Sequence, residues 1–311
     1  MTKSALAWLL EESQPSVRWR ALLDLTARGP RDPEVRDARA RIPKAGWAAD
    51  ILRRQRPTGA WVSEESLYRP KYESTNWMLL ILADLGMDRG DARIRAACEF
   101  WIRRFAKKDG GFGADRMRIS EMCITGNTAR ALMQFGYEDH PRVRSALRWL
   151  LRDQKANGGW RCGWRRGILD GWEAMSAFAA YPRRKWTAGI GRAVDRGAEF
   201  YLERELHREG PRYEPWYRFH YPVHYFYDVL VGLDLLTSLG FGGDKRLAFA
   251  ANLVKSKRRP DGRWNLDAVH PDMSRTAPPY PSRGRFALEK PGRPSKMITL
   301  RAERALGRTE G

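Results

Sequence analysis

One pattern constrains this chain more than any other: Gln, three residues, Gly, any residue, then an aromatic. It occurs in full twice, as Gln55-Arg56-Pro57-Thr58-Gly59-Ala60-Trp61 and Gln154-Lys155-Ala156-Asn157-Gly158-Gly159-Trp160. Two degenerate copies share the register, Ala106 to Phe112 and Arg258 to Trp264. Trp61, Phe112 and Trp160 follow one another at 51 and 48 residues, and Trp264 comes 104 residues after Trp160, which is two such periods. Gly210 to Trp216 lies where the intervening turn belongs. A fixed period of about fifty residues is the signature of a repeat architecture, in which each unit buries its apolar face against its neighbours.

Each period reads as two helices. Before the turns lie amphipathic segments, Asp32 to Gln55, Asp91 to Ala106, Pro141 to Gln154, Trp186 to His207 and Asp244 to Arg258. Their apolar residues, such as Val143, Ala146, Leu147 and Leu150, fall at helical spacing, so one face is wet and these are outer helices. After each turn comes a more uniformly apolar segment: Ser74 to Leu85, Thr125 to Phe135, Gly171 to Tyr181, Tyr225 to Leu239 and Ser295 to Leu306. A helix apolar all round is buried, which makes these inner helices. Glycines end the outer helices, and Gly-then-Asp connections lead from inner to outer, the chemistry of a C-cap followed by an N-cap. Pro15 to Thr26 adds a sixth inner helix, and Lys3 to Glu11 fills the outer vacancy beside the last one.

The expected fold is therefore all-α, an α/α toroid (an α6/α6 barrel) of six helical hairpins closed into a ring, with an open solenoid as the alternative. Length alone suggests about two domains for 311 residues. The repeat replaces that expectation with one domain over 1–311, in which 265–294 is a long Pro-rich loop that acts as a lid or a strap.

Composition excludes several classes. With 42% hydrophobic and 30% charged residues the chain is neither disordered nor fibrous. Its longest apolar run, near Trp77 to Ala83, is far short of the roughly 20 residues a membrane helix needs. Ala5 to Leu10 is too short, before Glu11 and Glu12, for a signal peptide, so a cytoplasmic location is expected. Cys98, Cys123 and Cys162 are odd in number and widely spread, which predicts reduced thiols rather than a disulfide framework. The formal charge of +20 raises a nucleic-acid reading. Arg is scattered through every segment without a basic tail, so nucleic acid stands as the alternative partner, for a non-catalytic scaffold that uses its outer surface.

The Lys/Arg-rich outer helix, the Gln-x3-Gly-x-Trp turn and the apolar inner helix together resemble the repeat of the terpenoid cyclase and protein prenyltransferase superfamily of α/α toroids. The resemblance spans essentially the whole chain, and its two complete copies are of the squalene-cyclase type. It implies that Gln and Gly lock the turn while Trp stacks on the neighbouring repeat, which assigns Gln55, Trp61, Gln154 and Trp160 to the scaffold. It also implies a central acid in a D-x-D-D motif for the cyclising members, and neither D-x-D-D nor D-D-x-x-D occurs here. Alkene protonation needs a carboxylic acid made strong by its neighbours, so the likeness to cyclising enzymes stops at the scaffold.

From the prenyltransferase members the resemblance implies a zinc held by Asp, Cys and His at the starts of two inner helices. The matching places read Asp170-Gly171-Trp172-Glu173 and His224-Tyr225-Phe226-Tyr227. Trp172 stands where the thiolate belongs, and a catalytic zinc needs about three protein ligands. Asp170, His224, Cys162 and Cys123 are the weak candidates, with His220 a further substitute, and no zinc or other cofactor is expected. Asp170 instead reads as a helix cap and His224 as a hydrogen-bonded histidine at the rim.

The loops before the inner helices are rich in Arg and aromatics. Six inner helix N-termini, each worth roughly half a positive charge, would focus on the same mouth, so an anionic group is expected there. The bore beneath would be lined by Trp77, Cys123, Trp172, Phe226, Tyr227 and Met297. These features predict a small amphiphilic anionic ligand, isoprenoid-like, in a central cavity, its apolar tail contributing about 0.8 kcal/mol per buried methylene. The alternative is a bore filled by its own side chains. The expected ligand-binding residues are Arg69, Lys71, Tyr72, Trp77, Arg118, Asn127, Arg130, Arg165, Trp172, Arg218, His220, Tyr227 and Arg301. For a prenyltransferase-like or cyclase-like reaction the candidate catalytic residues are Asp170, Glu173, His224 and Asp228. Charges inside apolar helices must be paired, so Arg130, Glu173, Asp228, Asp234, Arg301 and Glu303 are expected to satisfy one another or to face a ligand.

Overall fold

The computed structural model describes residues 1–162, 169–270, 273 and 288–310. The inner helices are α2 (Pro15–Leu25), α5 (Thr75–Asp84), α7 (Met122–Gln134), α9 (Glu173–Ala180), α11 (Val229–Ser238) and α13 (Lys296–Gly307). The outer ones are α1 (Lys3–Leu9), α3 (Pro33–Arg41), α4 (Gly46–Leu52), α6 (Ala92–Phe105), α8 (Pro141–Asp153), α10 (Ala188–Glu203) and α12 (Ala248–Ser256). Around the inner ring α5 packs on α7, α7 on α9, α9 on α11, α11 on α13 and α13 on α2. The ring closes where Trp19 of α2 lies over Gly86, at the end of α5, and where Arg39 of α3 meets Asp88 at 2.7 Å. Helix α1 rests on both α2 and α13, so the two ends of the chain meet as expected. Each inner helix from α2 to α11 runs antiparallel to the outer helix that follows it, and the architecture is an α/α toroid.

The repeat turns are built by their own residues. Gln55 Nε2 donates to Gly59 O at 3.0 Å and to Arg93 O of α6 at 3.1 Å, and Gln154 Nε2 donates to Gly158 O at 2.7 Å and to Ala193 O of α10 at 2.8 Å. Each Gln thus closes its turn and ties it to the next outer helix. The indole N–H groups of Trp61, Trp160 and Trp264 donate to Ile51, Leu150 and Val254 at 2.9, 2.8 and 2.7 Å, ten residues back in every case. Gly158 has φ +89°, and a Cβ there would stand 2.3 Å from Arg196 O, so both conformation and space demand glycine. Thr75, Thr125 and Thr299, in the first turns of α5, α7 and α13, accept from the backbone N–H of Trp61, Phe112 and Trp264 at 2.9–3.0 Å.

Two departures from the expected helix bounds have a local cause. The segment 32–55 splits into α3 and α4, because Pro43 removes a donor and clashes with the preceding turn. Helix α11 begins at Val229 rather than Tyr225, because the Asp228 carboxylate accepts from Val231 N at 2.8 Å as an N-cap and so sets the start. The ends of the 265–294 stretch are fastened together: Leu266 N donates to Arg293 O at 2.9 Å and Gly292 N to Leu266 O at 2.7 Å. Most of the rest of that stretch lies outside the described residues.

Candidate ligand cavity

The inner helix N-termini and their preceding loops surround a cavity of about 790 Å³. Tyr68, Trp216, Tyr225, Phe226 and Tyr227 form most of its wall, with Cys123 and Cys162 beside them. Its loops are held by Asp115, whose carboxylate accepts from Leu67 N at 2.8 Å and Tyr68 N at 3.2 Å and meets Arg104 at 3.1 Å. The rim carries Arg69, Lys71 and Arg116, but also Glu65, Asp115 and Glu121. The expectation of a purely cationic mouth is therefore corrected: the rim is of mixed sign, because the loops that bring arginines also bring the carboxylates that position them.

The floor is packed. Trp77 is buried, its Nε1–H donating to Tyr68 O at 2.8 Å, with its ring 4.3 Å from Tyr72 and 4.9 Å from Tyr225. Tyr72 donates to His224 O at 2.9 Å. His270 covers this cluster from the side, 5.2 Å from both Tyr72 and Phe226. Tyr72 and Trp77, expected at the ligand, instead lie beneath the cavity as its base.

Below the floor, His224 is wedged between Arg130 Nη2, 3.0 Å from its Nδ1, and Asp84 Oδ2, 3.4 Å from its Nε2. Burial holds its pKa down at about 3, with Arg130 and Arg301 assisting against the pull of Asp84. Neutral at ordinary pH, the imidazole accepts a hydrogen bond from the Arg130 guanidinium at Nδ1. Burial pushes the Asp84 carboxyl up, but Arg130 and the other neighbouring cations outweigh it and leave the group below its ordinary range. The second histidine of the region, His220, is fully buried and bonds Asp228 Oδ2 at 2.7 Å. His220 and Asp228 thus tie down the loop before α11, and none of His220, His224 and Asp228 is among the residues that line the upper cavity.

Arg130, Trp172 and Arg301 line a second cavity, of about 440 Å³, at the C-terminal end of the inner helices. The two cavities share no lining residue. Arg20, Arg39, Arg304 and Arg308 line the lower cavity as well. Asp234 holds much of this cluster, at 2.5 Å from Arg304, 3.3 Å from Arg308 and 3.6 Å from Arg301. Helix C-termini are each worth roughly half a negative charge, so arginines gathered there offset six parallel dipoles. Arg118 and Arg218 are exposed and line neither cavity; Arg218 donates to Asp267 O at 2.9 Å. Arg165 lies outside the described residues, as does the side chain of Asp170, which stands in a short 3-10 turn ahead of α9.

Asn127 lies on the face of α7 that carries Cys123 to the upper cavity and Arg130 and Gln134 to the lower one. It is fully buried, and neither amide atom has a hydrogen-bond partner among the described residues. A buried amide without partners costs about 1–3 kcal/mol. Asn127→Leu is accordingly expected to have a urea midpoint at or above that of the parent; a drop equivalent to more than about 1 kcal/mol would show the amide to be satisfied.

Among the described residues no three His, Cys, Asp or Glu side chains converge as metal ligands do. No helix among them is long and apolar enough to cross a membrane. Tyr68, Trp216, Tyr225 and His270 were absent from the expected site, although the Arg-aromatic loops at Tyr68 to Tyr72 and Trp216 to His220 carried its signal. Tyr225 gave none, since the expected inner helix begins there and the position reads as helix interior.

No known family model matches the chain. It is 25% identical over 179 residues to protostadienol synthase A of Arthroderma gypseum, covering 53% of this chain and 23% of that protein. It is 27% identical over 128 residues to the squalene–hopene cyclase of Bradyrhizobium diazoefficiens, covering 37% and 19%. These matches thus span about a fifth of the length of the curated relatives. Among solved structures, the type II terpene cyclase MstE from Scytonema, in complex with geranylgeranyl dihydroxybenzoate, superposes with a TM-score of 0.52 at 15% identity, covering 98% of this chain and 96% of that one. A protein from Actinoplanes gives 0.52 at 18% identity, covering 97% and 90%. With the ring, its repeat turns and these likenesses together, the chain is an α/α toroid whose fold is similar to that of the terpenoid cyclases.

Proposed function

We propose that residues 1–311 act as one toroid domain that binds an isoprenoid-like amphiphile in the upper cavity, tail against the aromatic wall and polar head at the helix N-termini. The observation that carries this reading is the cavity itself. Its 790 Å³ falls within the range of small-molecule sites, and its apolar wall ends at a rim with Arg69, Lys71 and Arg116. The ligand held by MstE, geranylgeranyl dihydroxybenzoate, has the same division of character. Aromatic faces also favour cations, which suits a wall against which positive charge develops on a hydrocarbon. If a reaction follows, Glu173 is the proposed acid: it is buried at the first position of α9, one of the inner helices whose N-termini surround the upper cavity.

Thermal-shift measurements with farnesyl and geranylgeranyl diphosphate test the binding. At a hundred times Kd the expected stabilisation is about 2.7 kcal/mol. Ala114 lines the cavity, and Ala114→Trp is expected to abolish the shift while leaving the melting temperature of the unliganded protein within a few degrees. No shift with either diphosphate at millimolar concentration would overturn the reading.

A further inference from the structure

We propose that Cys123 and Cys162 form a peroxide-reactive dithiol in the wall of the upper cavity, which closes to a disulfide. The two sulfurs come from different repeats, one from the first turn of α7 and the other from the loop after the Trp160 turn, yet they stand 3.3 Å apart. Both line the cavity, so a small oxidant that enters the mouth reaches them. A disulfide bond is about 2.05 Å long, and closure therefore needs an approach of little more than 1 Å. The pairing is independent of the isoprenoid reading, since it requires only the cavity and the two thiols.

The two cysteines have different parts. Cys123 is the second residue of a thirteen-residue helix, where the positive end of the helix dipole favours thiolate over thiol. Its thiolate attacks hydrogen peroxide, the O–O bond breaks, and Cys123 sulfenic acid forms with release of hydroxide, which takes up a proton to become water. The Cys162 sulfur, having lost its proton, then attacks the sulfenic sulfur and displaces hydroxide, which becomes the second water. Overall two thiols and one peroxide give one disulfide and two waters. Cys98 supplies an internal control: it is fully buried in the outer ring, and burial pushes its thiol pKa far up.

The test uses the full chain, treated with hydrogen peroxide, quenched, denatured and labelled with a maleimide for intact-mass analysis. Maleimide-reactive thiols are expected to fall from three to one per chain, with the mass lowered by two hydrogens, peptide mapping joining Cys123 to Cys162, and a raised melting temperature from the cross-link. In Cys162→Ser, dimedone is expected to trap sulfenic acid on Cys123. Three thiols remaining at a peroxide dose that oxidises dithiothreitol, a bridge that includes Cys98, or a bridge only between chains would overturn the proposal. Dimedone capture on Cys162 in Cys123→Ser, with none on Cys123 in Cys162→Ser, would overturn the assignment of the attacking sulfur.

Discussion

Replacing Trp160 with alanine is expected to destabilise the protein by about 3–5 kcal/mol, the range for deleting a large buried aromatic. The side chain is fully buried, packs against Phe178 of α9 at 5.9 Å and donates to Leu150 O of α8. Its loss opens a void between two repeats and leaves the Leu150 carbonyl with one partner fewer. Trp160→Phe keeps most of the volume and loses the donor, so it should cost less, by an amount that reports the hydrogen bond at about 1 kcal/mol. Gln154→Ala should fall between them, because it releases both the turn and the tie to α10. Chemical denaturation of the three variants checks the order. A Trp160→Ala protein within 1 kcal/mol of the parent would show that the turn is not what joins the repeats.

The second large effect is one that the unaltered protein should conceal. His224 has its pKa lowered from 6.5 to about 3, so between those values the unfolded chain binds a proton that the folded one refuses. Its contribution to stability is present above about 6.5 and is lost as pH falls, by about 3 kcal/mol at pH 4.5. Glu289 behaves in the opposite sense. Burial pushes its carboxyl up to about 7, against the hydrogen bonds it accepts from Ser295 Oγ and Lys296 N at 2.5 Å. The folded state holds that proton more tightly, so its contribution is full below about 4.5 and is lost as pH rises through 7. Between pH 7.5 and 4.5 acidification therefore gains about 3 kcal/mol at Glu289 while a similar amount is lost at His224. In the parent these two contributions should largely cancel in this window, which leaves its slope to other groups such as His140 and His207, whose pKa values burial lowers. His224→Gln should become more stable on acidification and Glu289→Gln less stable, with slopes of opposite sign. Urea midpoints at four or five pH values decide it, and parallel profiles for the parent and both variants would refute both assignments.

The ring was legible in the chain because its determinants are local. A helix period, a glycine-containing turn and an aromatic recurring about every fifty residues can all be read along the sequence. The cavity was legible only in part. Arg69, Lys71 and Tyr227 reach it as expected, whereas Tyr72 and Trp77 sit one layer too deep. That layer is decided by contacts between repeats, such as the bond from Tyr72 to His224, 152 residues away. The start of α11 was misplaced for a related reason: Asp228 caps the helix while also holding His220, and a pairing across a loop leaves no periodic trace. Thr75, Thr125 and Thr299, which pin three turns, escaped notice because a threonine in an apolar helix carries no signal of its own.

The antiparallel pairing of inner and outer helices has a consequence for how a ligand meets the protein. Six dipoles point one way along the axis, and the surrounding shell points the other way, much as the core and sheath of a coaxial cable carry opposed currents. At a distance the two shells cancel, and the helical field is confined to the bore. The helices then select among molecules already at the mouth without drawing them from solution. Long-range attraction is left to the net side-chain charge of +20, which salt screens within about 10 Å at 0.1 M. For the proposed amphiphile, capture and recognition would thereby fall to different parts of the molecule, the first dependent on ionic strength and the second largely shielded from it.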